Sequence, residues 1–120
     1  MKKTINTEHI LSLIDKFDTE RDWQQFHTLK NLAISAAIES GELLEIFQWL
    51  NDDEIKQQLR ETTFKEKIAH ELADVFIYLF RIIKKLDIDI EDAISAKMKL
   101  NERKYPAIKV KGMAKKYSEY

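Results

Sequence analysis

Four carboxylates fall in two short pairs, Glu39 with Glu42 and Glu71 with Asp74. On an α-helix the i, i+3 spacing puts both members of a pair on one face, about 60° apart. Around the second pair stand Ile68, Ala69, Leu72, Ala73, Val75, Phe76, Ile77, Leu79 and Phe80. Apolar side chains thus surround that helix and leave it no free polar stripe. Burying an unpaired carboxylate costs several kcal/mol or more, so a cation is expected beside the two pairs. The chain has no cysteine. Four oxygen donors without thiolates favour a hard ion, Mg²⁺ with Mn²⁺ as a substitute, over Zn²⁺. Such an ion keeps several waters and is completed by phosphate oxygens, which suits metal-assisted attack at phosphorus. A carboxylate not fully engaged by metal could orient or deprotonate the attacking water. The plainer alternative is that the four carboxylates pair with lysines across helices or face solvent. Glu45, one step further along the first helix, is open between a third ligand, an outer partner and a solvated side chain. A di-iron bundle would need Glu-x-x-His on two helices. Glu42 and Asp74 occupy the places where His would stand, and His70 points about 100° away from Glu71.

The elements that must position these residues are helical. At 120 residues the chain is expected to be a single domain over 1–120, and two Gly and one Pro leave little material for strands or hairpins. A composition of 44% apolar and 34% charged residues fits an all-α fold of amphipathic helices. Asn6 or Thr7 should cap a first helix carrying Ile10, Leu13, Ile14 and Phe17 and ending near Asp18. The stretch 21–28 breaks the period and gathers Trp23, Phe26 and His27, either to line a pocket or to plug the end of a bundle. A second helix is expected from Lys30 to Leu50. Its small residues Ala33, Ala37, Ser40 and Gly41 would permit close approach, and Gly41 between the two glutamates hints that space is needed there. Trp49 could be core or a stacking plate for a flat ligand. A polar connector with a short helix follows. A capping box of Thr63 and Glu66 should then start a third helix that runs to about Leu86. Asp89 caps a fourth, along which Lys97, Asn101 and Tyr105 recur every four residues until Pro106 stops it.

Net charge is −1, which argues against a nucleic-acid binder, but the end of the chain is basic, with Lys97, Lys99, Arg103, Lys104, Lys109, Lys111, Lys115 and Lys116. A basic tail, from about residue 107, beside an acidic cage suggests a ligand carrying both phosphate and metal. The tail itself is expected to wrap or stay mobile. No apolar run reaches membrane-spanning length and no signal-type core follows Met1, so no membrane association is expected and the cytoplasm is the default compartment.

Four blocks in order carry a resemblance. They are Arg21-Asp22-Trp23-x-x-Phe26-His27-Thr28-x-Lys30-Asn31-Leu32, Glu39-x-x-Glu42-Leu43-x-Glu45-x-Phe47-Gln48-Trp49, Glu71-Leu72-Ala73-Asp74-Val75, and Lys97-x-x-x-Asn101-x-x-Lys104-Tyr105-Pro106. In these the chain resembles the all-α nucleoside triphosphate pyrophosphohydrolases of the MazG-like superfamily, within it the dCTP pyrophosphatase-like branch. The resemblance implies a four-helix MazG-like bundle in a tight homo-oligomer, homodimer or homotetramer, whose sites borrow residues from a neighbouring subunit. It implies Mg²⁺-dependent hydrolysis of a nucleoside triphosphate, dCTP or a modified deoxynucleotide, to monophosphate and pyrophosphate, as house-cleaning of the nucleotide pool. Glu39, Glu42, Glu71 and Asp74 would hold metal and carry catalysis. Lys97, Asn101 and Tyr105 would contact phosphates or sugar, and His27 and Trp49 would border the base. A nucleotide-sensing or partner-binding helical module with little turnover is the alternative.

Overall fold

A computed structural model describes residues 4–114, all of whose regular elements are helical. Lys115 and Lys116 of the basic tail lie outside the described residues. The chain divides into two compact units, one ending at Leu86 and the other beginning at Asp87.

In the first unit, α1 (Thr7–Glu20) starts where Asn6 accepts a hydrogen bond from the His9 backbone N–H at 3.0 Å. It runs two residues beyond the expected end. The chain then turns through Asp22, whose φ of 53° is a left-handed conformation that Asp tolerates better than bulkier residues. One 3₁₀ turn (Gln24–Phe26) leads to Thr28, which caps α2 (Leu29–Phe47) by accepting from the Asn31 N–H at 3.1 Å. α2 stops three residues short of Leu50 because Asn51 opens a new helix, α3 (Asp52–Gln58). There Asn51 and Glu54 form a reciprocal capping box. The box expected at Thr63 and Glu66 is not formed. α4 (Thr62–Leu86) begins one residue earlier, with the Phe64 N–H bonded to the Glu61 carbonyl, so Thr63 already lies inside the helix. Lys84 and Lys85 fall in its last turn, where they oppose the negative end of the helix dipole. No helix among the described residues is long and apolar enough to cross a membrane.

α2 and α4 form the main packing pair of this unit. They run antiparallel: the Phe47 and Phe64 rings meet edge-on at 6.2 Å, and Leu32 and Phe80 line one cavity near the other ends. α1 packs along α4 in the same sense, with Asp18 on Arg81 and Asp15 on Lys84. The core is thin, made of Ile14, Leu32, Ala36, Ile46, Phe64, Phe80 and Ile83. The small-residue stripe of α2 does not face α4. Ala33, Ala37, Ser40 and Gly41 are exposed, and a Cβ placed on Gly41 would meet nothing within 4 Å, so packing inside the described chain does not require glycine there.

In the second unit, Asp89 caps α5 (Ile90–Lys104) by accepting from the Asp92 N–H at 3.1 Å. Tyr105 ends it, Pro106 precedes one further turn, α6 (Ala107–Val110), and Gly112 takes a φ of 79°.

Leu32, 1% exposed, is the tightest point of the core. Leu32→Ala should cost about 2–5 kcal/mol in urea unfolding. Gly41→Ala should instead raise the midpoint, by up to about 1 kcal/mol of helix propensity. A loss of stability at Gly41 would mean that another chain fills the space beside α2.

Candidate active site

Glu39 and Glu42 come from the middle of α2, and Glu71 and Asp74 from the middle of α4. Antiparallel packing brings the two pairs face to face. One carboxylate oxygen from each of Glu39, Glu42 and Glu71 lies within 4.8 Å of the other two. Asp74 stands outside that trio and is exposed, yet its charge acts on both Glu39 and Glu71. The Oε2 atoms of Glu39 and Glu71 are buried without a hydrogen-bond partner. An orphaned buried carboxylate oxygen is costly, and two in one cluster mark a place that lacks its counter-charge.

The electrostatics say the same. Glu39 is pushed up from the usual 4.5 to about 6, first by burial, then by a hydrogen bond shared with Glu42 and the charges of Glu42, Asp74 and Glu71. Glu71 is raised by burial and by the charges of Glu42 and Asp74, with Lys67 pulling the other way. A trio of oxygen donors from two rigid helices, with two unsatisfied oxygens among them, fits a hard divalent cation.

Two cavities flank the cluster. On the side of Glu39 and Asp74 a cavity of about 330 Å³ is walled by Leu13, Ile14, Phe17, Trp23, Ile77, Tyr78 and Arg81. Phe17 and Trp23 meet edge-on at 5.4 Å. On the side of Glu42 and Glu71 a polar cavity of about 270 Å³ adds Glu45, Ile46 and Lys67. The arrangement can therefore seat a flat apolar group on one side of a metal and anionic groups close to it.

The remaining expected residues are scattered. His27 lines a third cavity, of about 210 Å³, with Asp18, Arg81, Lys84 and Lys85 among its neighbours. Its Nδ1 is 3.5 Å from Asp18 Oδ2, and its pKa is lowered by burial and by Arg81 and Lys85 against the opposing pull of Asp18. Trp49 lies just past the end of α2 and is 84% exposed, and it borders none of these three cavities. Lys97 and Asn101 lie on α5 and Tyr105 at its end, in the second unit. Of the aromatics in 21–28, Trp23 enters a cavity wall while Phe26 stays exposed.

Sequence reasoning passed over Tyr78, Lys67 and the pair Asp18–Arg81. Arg81 Nε donates to Asp18 Oδ2 at 3.0 Å and Nη2 to Oδ1 at 2.8 Å, with side chains only 8% and 6% exposed. A signal was present: Arg81 is the one charged residue in the apolar run 75–83. The burial argument applied to Glu71 and Asp74 covers it equally.

Antiparallel helices that set acidic pairs beside an aromatic cavity define an all-α class of carboxylate-lined cleft. The MazG-like family matches residues 34–120, and the chain belongs to that family. It is 38% identical over 112 residues to proteins named dCTP pyrophosphatase 1 from Homo sapiens and Bos taurus, which covers 93% of this chain. The chain spans 66% of the length of those relatives. A crystal structure of a pyrophosphatase from Archaeoglobus fulgidus superimposes with a TM-score of 0.76 at 40% identity, covering 88% of this chain and 97% of that one.

The raised carboxyl of Glu39 fixes the sign of a pH effect. Its folded value lies above the unfolded one, so without metal the folded state binds the extra proton and loses stability as pH rises from about 4.5 through 6. Glu39→Gln should therefore raise the melting temperature of the metal-free protein at pH 7 and leave it unchanged below pH 4.5. Mg²⁺ at pH 7 should raise the melting temperature of the parent and do so less for the variant.

Proposed function

We propose that the chain hydrolyses a nucleoside triphosphate between the α and β phosphates, giving the monophosphate and pyrophosphate, with Mg²⁺. The observation that carries this is the carboxylate trio, two of whose oxygens are buried without a partner, beside an aromatic cavity. The names of the relatives, dCTP pyrophosphatase 1 and pyrophosphatase, support it and make dCTP or a modified deoxynucleotide the first substrate to try.

Glu39, Glu42 and Glu71 would hold the metal, with Asp74 as the fourth acidic partner at the edge of the cleft. Bound there, the ion lowers the pKa of its water and offsets phosphate charge. The chain's own residues do the rest. Asp74, exposed and lining the aromatic cavity, is free to orient the nucleophilic water and accept its proton. Trp23, Phe17 and Tyr78 offer ring faces and edges to a base, which fixes the triphosphate relative to the acidic trio. Lys67 adds positive charge in the polar cavity. Lys97, Asn101 and Tyr105 keep the phosphate and sugar contacts that the family resemblance implies. His27 and Trp49 would border the base as the family resemblance implies, although His27 lines a separate cavity and Trp49 none of the three.

A homodimer or homotetramer belongs to this reading. Leu72, Phe76 and Leu79 form an exposed apolar stripe on α4, and Ile34 and Ile38 another on α2. Stripes of this kind on paired helices are what an association of copies would cover.

Incubation with a panel of triphosphates, with and without Mg²⁺, should release pyrophosphate only with metal. Glu71→Gln and Asp74→Asn should each lower that release by about 100-fold or more with helicity unchanged. A neutral variant that retains the full rate would contradict the assignment. Trp23→Ala should raise KM more than it lowers kcat. Light scattering should give a mass at least twice that of the 14.2 kDa chain.

A further inference from the structure

A buried ion pair is an inefficient way to join two helices, because desolvation offsets most of the attraction and apolar side chains of similar volume do as well or better. The pair Asp18–Arg81 therefore calls for a second use. Three observations converge on Arg81. Its guanidinium borders the aromatic cavity together with Trp23, Tyr78, Glu39 and Asp74. It lies 4.8 Å from the centre of the Tyr78 ring. Asp18 engages Nε and Nη2 in a two-point grip, and no described side chain or backbone carbonyl engages Nη1. Asp18 also sets the opposite wall, since its backbone carbonyl accepts from the Trp23 N–H at 3.0 Å. One residue thus aims the cation and seats the indole.

We propose that Arg81, clamped by Asp18, is a specificity-determining residue of the aromatic cavity, donating from Nη1 to a carbonyl or ring-nitrogen acceptor on the edge of the bound base. The inference rests on the nucleotide reading of that cavity. Aromatic walls accept any flat ring. A fixed, desolvated donor distinguishes a base that presents an acceptor from one that does not, because a base without an acceptor leaves the donor unpaired. The two-point grip matters here, since a guanidinium held at two atoms cannot swing to follow a misplaced ligand.

The test compares dCTP with a deoxynucleoside triphosphate whose base is replaced by an apolar aromatic isostere, in the parent and in Asp18→Leu/Arg81→Met. The double variant exchanges the ion pair for an apolar contact and keeps α1 on α4. The parent should favour dCTP by about 10-fold or more in kcat/KM, mainly through KM. The double variant should bring the two substrates within about 3-fold of each other in kcat/KM, through a rise in KM for dCTP. A folded double variant that keeps the parent's preference overturns the proposal, as does a parent that does not distinguish the two. Should the double variant not fold, Arg81→Lys decides by the same ratio, because it leaves a cation for Asp18 and removes the fork. Calorimetric binding of both triphosphates with Mg²⁺ separates the two levels: a parent that binds them without turnover removes the hydrolase reading, and the affinity ratio then judges Arg81. A parent that neither binds nor hydrolyses either compound overturns both.

Discussion

Like charges pressed together between packed helices repel each other unless something neutralises them, and this chain builds that repulsion into the middle of its main helix pair. Glu39, Glu42 and Glu71 converge from two packed helices, with Asp74 close enough to add its field. The rest of the first unit can be understood as what holds them there. α2 and α4 are long, antiparallel and joined by a short capped helix, which fixes the register at which the two acidic pairs face each other. The apolar contacts above and below the cluster, from Leu32 and Phe80 at one end to Phe47 and Phe64 at the other, oppose the tendency of the carboxylates to separate. A divalent ion bound there, as proposed, would turn the same geometry from a liability into a stabilising contact.

The helices and the acidic cluster were legible because both follow from local rules. Periodicity and caps placed α1, α2, α4 and α5 to within three residues, and burial of charge singled out Glu39, Glu42, Glu71 and Asp74. The errors lie at helix ends. Thr63 and Glu66 have the spacing of a capping box, but α4 starts at Thr62 and takes Thr63 inside it, while Asn51 and Glu54 form such a box at the start of α3 and α2 ends early. Trp49, expected inside the second helix, therefore lies beyond its last helical residue.

Other features were illegible because they depend on pairing across distant positions. Asp18 reads as an ordinary helix-end residue until Arg81, 63 positions away, is placed against it. Gly41 illustrates the opposite error. Its position between two glutamates suggested a demand for space, yet the surroundings within the chain are open. The stripes on α2 and α4 leave Ile34, Ile38, Leu72, Phe76 and Leu79 exposed within the described chain.

The aromatic cavity draws its walls from α1, the turn after it and α4: Leu13 and Phe17 from the first, Trp23 from the second, Tyr78 and Arg81 from the third. The carboxylate trio sits on a different seam, between α2 and α4. Both seams share α4, and Asp18 pins α1 to it through Arg81. In the proposed reading, admission of a ligand and chemistry upon it would therefore be geared together: a substitution in α1 that shifts α4 would be felt at Glu71 as well as at the cavity wall.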